Sequence, residues 1–305
     1  MHEDQVHIDA GIAGQLVIDN FPQYRSQSIQ PVDSQGTVNT IFRVGFDAAA
    51  RFPLRAADSR QVETELGRES MAMLEFAKWC PFPSPEPLGI GRPGRSFPMP
   101  WSMQTWIEGE VATPSGLSAS PSFSNDVASL IESLRNADTS GRKFTGTGRG
   151  GRISDHDDWV QTCFRNSSTL LDVARLYPIW EQLRQLPPAF SDVMSHKDLI
   201  PVNILVAEGR IIGVLDAGDF GPADPALDLV AVWHHLDEER RDLVRSRLCT
   251  TRDEWLRGAA WAFQQAIGLV WYYRLSNSRM SELGRVALQR LVSDPEISGD
   301  LAKCP

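Results

Sequence analysis

The sequence predicts an α+β protein in two lobes, a smaller β-rich one followed by a larger, mostly helical one. Three observations carry this. Short β-type runs crowd the first hundred or so residues, helical periodicity dominates afterwards, and one β island at 195–219 interrupts the helices. A chain of 305 residues is long enough for two sizeable cores. The expected boundary lies near 108–113, giving an N-terminal lobe of 1–107 and a C-terminal lobe of 108–305.

Taken in order, "DAGIAGQLVIDNF" spaces its apolar residues as a short helix does. "IFRV" and "AAARF" read as strands separated by a turn at Gly45 to Asp47, with Pro53 ending the second. "DSRQVETELGRESMAMLEFAKW" reads as a helix capped by Asp58 or Ser59, with Val62, Leu66, Met73 and Phe76 on its apolar face. A Pro/Gly-rich connector follows, then the strand "WSMQTWI". "SFSNDVASLIESLRNA", "WVQTCFRNSSTLLDVARL" and "PIWEQLRQL" are expected helices. After the β island come helices in "PALDLVAVWHHL", "EERRDLVRSRL", "RDEWLRGAAWAFQQAIGLVWYYRL" and "SELGRVALQRLVS".

The net charge is −9 and the pI about 5.2. That argues against nucleic acid or an anionic membrane as partner. A cationic substrate is compatible with it, although acidity also serves solubility. The four cysteines are scattered without a CxxC pair, the pattern of reduced thiols. No basic-then-apolar leader and no apolar run of roughly 20 residues is visible. Together these features predict a cytoplasmic protein.

The island "SHKDLIPVNILVAEGRIIGVLDAGD" sets Asp198, Asn203 and Asp216 among apolar runs. Burying carboxylates without partners costs several kcal/mol, so strand ends or a cation must account for them. A turn at Glu208-Gly209 pairs "NILVA" with "IIGVLD" as a hairpin. With Ala207 opposite Arg210, Asn203 would oppose Val214 and Asp216 would oppose Pro201. Asn203 and Asp216 would then be diagonal neighbours, and their hard oxygens suit Mg²⁺. Asp198 precedes Asn203 by five residues, beside the metal. H-x-D-x-x-x-x-N, a strand pair and an Asp make a phosphoryl-transfer constellation.

"SHKDLIPVNILV" followed by "GVLDAGDFGPADPALDLV" resembles the aminoglycoside phosphotransferase family of small-molecule kinases. The likeness is specific over residues 195–230 and continues more weakly from about Val32 to Val292. It implies a protein-kinase-like fold, ATP or GTP as phosphoryl donor, and Asp198 as catalytic base, with Asn203 and Asp216 as Mg²⁺ ligands. Two departures stand out: Lys197 where the family has Gly, and "DAG" where its metal triplet carries an aromatic. His196 is expected to brace the loop. Asp224 and Asp228 are expected to brace it too, and to cap the helix that follows.

The resemblance also implies a nucleotide clamp in the first lobe. "DSQGTVNTIFRV" would cover the phosphates with Gly36 at its tip. Arg51, or alternatively Arg55, would supply the phosphate cation, and Glu69, or Glu65 one turn earlier, would hold it. Gln104 to Ile107, including Trp106, would present backbone groups to the base. The partners are then a nucleotide and a small hydroxylated substrate, in a monomer or homodimer, with neither nucleic acid nor membrane. The acceptor would be an aminoglycoside-like antibiotic or an unrelated metabolite, sugar, amino alcohol or macrolide. A pseudokinase without turnover is the alternative of a different class.

Three further stretches have plainer readings. "GTGRGGR" looks like a phosphate loop, but no strand leads into it, so a mobile connector is expected. "SDHDDW" reads as a helix-capping cluster and "HHLDEERRD" as a solvated helix start. Trp271, Tyr272 and Tyr273 read as helical core, in the region where the family builds its acceptor pocket.

Overall fold

A computed structural model describes residues 6–32, 39–94 and 97–299 of the chain. The chain divides into two compact units. One comprises Met1–Lys78, Pro83–Glu108 and Leu215–Asp219, the other Trp79–Phe82, Gly109–Val214 and Phe220–Pro305. The main division falls at Glu108, but the chain re-enters the first unit at Leu215–Asp219, the stretch that carries Asp216.

The first unit is a five-stranded antiparallel sheet with two helices. Its strands are β1 (Ile29–Pro31), β2 (Asn39–Val44), β3 (Ala48–Pro53), β4 (Pro87–Gly91) and β5 (Trp101–Thr105), in spatial order β1-β2-β3-β5-β4. The helices are α1 (Ala10–Asn20), capped by Asp9, and α2 (Ser59–Trp79), whose last residue belongs to the other unit. Asp58 accepts from the amides of Arg60 and Gln61, both at 3.1 Å, and so caps α2. Val62, Leu66, Met73 and Phe76 are its buried residues, as the periodicity predicts. The core joins Leu16 and Val17 of α1 to Phe42, Phe52, Trp101 and Met103 of the sheet. Phe52 stacks on Trp101 at 4.7 Å. Full burial of each such side chain stabilises by roughly 1.5–3 kcal/mol.

The second unit holds two small sheets among eight helices of the described residues. One sheet orders β6 (Glu110–Val111), β8 (Ile204–Ala207) and β9 (Arg210–Val214); the other pairs β7 (Val193–Ser195) with β10 (Gly221–Ala223). The helices are α3 (Pro121–Arg135), α4 (Asp157–Ser167), α5 (Val173–Leu183), α6 (Val230–His235), α7 (Glu238–Leu248), α8 (Arg252–Tyr272), α9 (Ser278–Ser293) and α10 (Pro295–Gly299). α8 is buried along nearly its whole length and packs on α4, α5, α6 and α9. No helix among the described residues is long and apolar enough to cross a membrane.

The β8–β9 hairpin turns at Glu208 (φ 49°) and Gly209 (φ 77°), the left-handed pair that matches strand twist. Ala207 faces Arg210 as expected. The register then slips between Leu205 and Val206, so Ile204, not Asn203, stands opposite Val214. One extra β9 residue bulges the ladder, and bulges are invisible to a spacing argument. Asn203 instead closes a 3-10 turn, Pro201–Asn203. Asp126 of α3, itself buried, takes two 2.7 Å bonds from Arg210 and one of 3.0 Å from the Ile211 amide, locking the hairpin to the helix.

Two expectations are corrected. The helical stretch after residue 157 breaks at 168–172 rather than before Pro178. Asp172 caps α5 and the helix runs through Pro178, with Leu176, Ile179, Trp180 and Leu183 buried on both sides of it; this packing offsets the backbone bond lost at proline. Strands β4, β6, β7 and β10 were not expected, because two to five residues, often beside Pro or Gly, leave no readable alternation.

Candidate active site

The loop that carries Asp198 is built on a buried carboxylate. Asp228, 1% exposed, accepts from Ser195 Oγ (2.8 Å) and from the amides of His196 (3.0 Å) and Lys197 (3.1 Å). Charge-assisted bonds of this kind hold a backbone in place where a loop would otherwise wander. Asp228 thus braces the loop as expected. Asp224 accepts the Ala226 amide (2.9 Å) at the turn that leads into the next helical segment, and it also reaches α8, accepting from Arg257 Nε (3.1 and 3.2 Å) and Trp261 Nε1 (3.0 Å). His196 is fully buried, and its Nδ1 accepts the Asp198 amide at 3.3 Å, the bracing role expected of it.

This frame delivers the Asp198 carboxylate to a specific set of donors. Oδ1 accepts from Arg149 Nη2 (2.7 Å) and Gln265 Nε2 (2.6 Å), and Oδ2 accepts from Asn203 Nδ2 (3.0 Å). A carboxylate offers about four lone-pair directions. Three are filled, so the remaining one is on Oδ2. Asn203 Nδ2 also donates to the Asp198 carbonyl at 2.9 Å. Both amide hydrogens of Asn203 are therefore committed, which turns its Oδ1 away as a free hard-oxygen donor.

Gln265 is oriented in turn. Its Oε1 lies 3.1 Å from His234 Nε2. Because Gln265 Nε2 donates to a carboxylate, His234 must carry its proton on Nε2. Burial depresses the His234 pKa to about 3, with the Gln265 bond opposing. His234 and His235 are thus interior, and the solvated stretch begins only at Asp237, which caps α7. Sequence reading missed His234 and Gln265; the one available signal was a pair of glutamines inside an otherwise apolar helix.

Arg149 was missed as well. "GTGRGGR" is anchored, not a free connector. The Gly150 carbonyl accepts the Asp224 amide at 2.8 Å, and the Phe144 ring lies against Gly150 and Gly151. Gly150 has φ 127°, and a Cβ there would meet Ala223 and Phe144 at 2.9 Å, so glycine is required. Lys197 adopts φ 72°, a left-handed backbone that glycine takes without steric cost. Its Nζ sits 5.9 Å from the Phe144 ring centroid, a cation–π contact that partly offsets the strain.

In the first unit, Arg51 on β3 reaches Asp216 Oδ1 with Nη2 (2.9 Å) and Gln104 Oε1 with Nη1 (3.4 Å). Glu69 is half-buried, and burial raises its pKa while the Arg51 charge lowers it. The two are coupled through space, and the direct bond of Arg51 goes to Asp216. Glu65 is exposed and bonds Gln61, and Arg55 is exposed beyond the strand. Asp216 takes φ 59° and leaves its carboxylate about half exposed. The Thr105 and Trp106 amides are already given to the carbonyls of Glu86 and Asp47. The Trp106 ring lies under the Arg43 guanidinium at 5.1 Å. Gly36 lies outside the described residues.

A family model described as the phosphotransferase enzyme family (APH) matches residues 29–261, more than half of the chain. The chain belongs to the APH phosphotransferase family. Among its curated relatives, the aminoglycoside 3′-phosphotransferase of Escherichia coli is 38% identical over 61 residues, 20% of this chain and 22% of that protein. The chain thus spans about a fifth of the length of the curated relatives it matches. Among solved structures, the GDP complex of aminoglycoside 2′-phosphotransferase-IIIa aligns with a TM-score of 0.68 at 15% identity, covering 96% of this chain and 100% of that one. Macrolide 2′-phosphotransferase MphH from Brachybacterium faecium aligns at 0.59 and 15%, covering 92% and 97%. At that identity the likeness shows the fold: this APH chain has the kinase-like α+β architecture, with a small antiparallel sheet preceding a mostly helical part.

Proposed function

We propose that this APH-family protein is an O-phosphotransferase that moves the γ-phosphoryl group of ATP or GTP to a hydroxyl of a small molecule. The observation that carries this is the Asp198 carboxylate, held by three donors and left with one open direction on Oδ2. A hydroxyl donating there surrenders its proton to Oδ2 as its oxygen bonds the γ-phosphorus. The bond from that phosphorus to the β-phosphate oxygen breaks, and the nucleoside diphosphate leaves. Little covalent chemistry is asked of the protein; positioning and charge do the rest.

By the chemistry of their oxygens, Asn203 Oδ1 and the Asp216 carboxylate would serve as Mg²⁺ ligands. Bound Mg²⁺ would neutralise phosphate charge. Among the described residues no group of three or more His, Cys, Asp or Glu could hold a metal, so these two ligands need phosphate oxygens to complete an octahedron. Arg51 supplies the phosphate cation, steadied by Gln104 and by the field of Glu69. The backbone of Gln104 to Ile107, apart from the Thr105 and Trp106 amides spent on the Glu86 and Asp47 carbonyls, would meet the base. Aminoglycosides and macrolides are among the candidate acceptors in this reading, supported by the names of similar phosphotransferases.

The test is nucleotide turnover with Mg²⁺ across a panel of hydroxylated compounds. Stimulated turnover with a phosphorylated product is expected. Tight Mg-nucleotide binding with no stimulation by any compound would make the protein a binding module instead.

A further inference from the structure

We infer that Arg149 determines acceptor specificity: it holds the cationic position beside Asp198, so the reacting hydroxyl comes from a part of the acceptor that carries no ammonium next to it. This rests on the proposed function of Asp198 and narrows its substrate class.

The geometry leaves little room for a second cation. Arg149 Nη2 is 2.7 Å from Asp198 Oδ1, and the two side chains are 30% and 32% exposed. The pair is therefore open to an incoming molecule rather than sealed in the core. The carboxylate's attraction for an acceptor ammonium is already satisfied, and the guanidinium repels one. The other groups bonded to the carboxylate add no negative charge. Gln265 and Asn203 are neutral, and both donate to the same carboxylate. Three carboxylates of the acidic clusters are engaged elsewhere. Asp157 is paired with Arg184 and takes the Trp180 indole N–H, Asp237 caps α7, and Glu239 pairs with Arg240.

What α8 offers beyond Gln265 is aromatic. Residues 265, 268 and 272 share a helix face, and position 272 lies about 10 Å further along it. Gly268 is where Trp159 approaches the helix, with a 2.7 Å clearance to an added Cβ. Trp159 lies 6.0 Å from Trp271, and Trp271 lies 5.7 Å from Tyr272. Trp159 and Tyr272 remain 39% and 41% exposed. A shelf of this kind stacks on a neutral or apolar ring face. Beside Asp198, then, the site presents the Arg149 guanidinium, with the Lys197 ammonium nearby on the Phe144 ring and the aromatic shelf further along α8, and the acceptor it fits is neutral or anionic next to its reacting hydroxyl.

The test uses Arg149→Gln and Arg149→Lys in the full chain, with folding checked by circular dichroism and thermal midpoint. Calorimetric binding of kanamycin reads the electrostatics without turnover. Arg149→Gln is expected to bind kanamycin at least tenfold tighter than wild type, and Arg149→Lys is expected to restore the wild-type affinity. Equal affinities, weaker binding by Arg149→Gln, or no binding by any form would overturn the inference. Turnover with matched pairs, glucose against glucosamine and inositol against 2-deoxystreptamine, is the second arm. Wild type should favour the amine-free partner and Arg149→Gln should lose that preference; a wild-type preference for the amine would also overturn it. Absence of turnover with every acceptor would count against the phosphotransferase reading, while the calorimetry still judges Arg149.

Discussion

Asn203 gives both of its amide hydrogens to one residue, Asp198, at 2.9 Å to the carbonyl and 3.0 Å to Oδ2. A single side chain therefore orients the base and aims its own oxygen outward. Asn203→Ala is expected to lower kcat by about 10²–10³ and to weaken Mg-nucleotide binding as well. Asn203→Asp keeps the shape but replaces a donor with a like charge, and it should be worse in kcat. Steady-state kinetics with a nucleotide titration separate the two effects; unchanged Mg-nucleotide affinity in Asn203→Ala would remove it from the metal site.

Asp198→Asn keeps the size of the base and removes its proton affinity. Transfer should fall about 10²–10⁴-fold, with Mg-nucleotide affinity within about threefold of wild type. Turnover near wild type on the best acceptor would show that another group takes the proton.

Lys197 occupies a left-handed backbone at φ 72°. Such a conformation costs a side-chain-bearing residue roughly 1 kcal/mol, partly offset by the contact with Phe144. Lys197→Ala keeps the strain and loses the contact, whereas Lys197→Gly loses both. The Gly variant should be the more stable of the two by about 1 kcal/mol, the reverse of the usual order. Urea unfolding of the pair checks it.

Gly150→Ala puts a methyl 2.9 Å from Ala223 and Phe144 on a backbone with φ 127°. A cost of about 2–3 kcal/mol is expected. Turnover per folded molecule should also drop, since Arg149 is the neighbouring residue. A variant with wild-type stability would mean that the loop adjusts freely.

Stability should depend on pH through His234. Its pKa is about 3 in the folded protein, against an ordinary value of 6.5. Below 6.5 the unfolded chain takes a proton that the folded chain refuses, so stability falls as pH drops from 6.5 towards 3. At pH 5 the loss is about 2 kcal/mol. His235, also depressed by burial, acts in the same direction. His234→Gln should show a shallower fall in the urea midpoint between pH 7 and 5, and an identical slope would rule His234 out as a source.

Much of this was legible in the residues alone. The helix over 59–79, its buried face and its cap follow from local periodicity and side-chain chemistry, and the chain's own spacing sets both. The turn at Glu208-Gly209 is equally local. The H-x-D-x-x-x-x-N spacing puts Asp198 and Asn203 in one loop, while the bond between their side chains is a product of the fold. The bulge in β9 was not legible. One extra residue changes no composition and no alternation, yet it moves Val214 from Asn203 to Ile204.

By itself, then, the sequence determined most of the helices, the longer strands and the two-part architecture, and it set Asp198 and Asn203 in one loop. Only the tertiary structure decided what surrounds that pair. Arg149 is 49 residues from Asp198 in the chain and Gln265 is 67 away, and His234 reaches the pair through Gln265. Each sits in a stretch whose local pattern is satisfied by a duller role: a glycine-rich connector, an apolar helix, a polar helix start. A side chain's chemistry is written in its identity, but its partner is chosen by the packing of distant elements. Here that packing set one guanidinium beside the base.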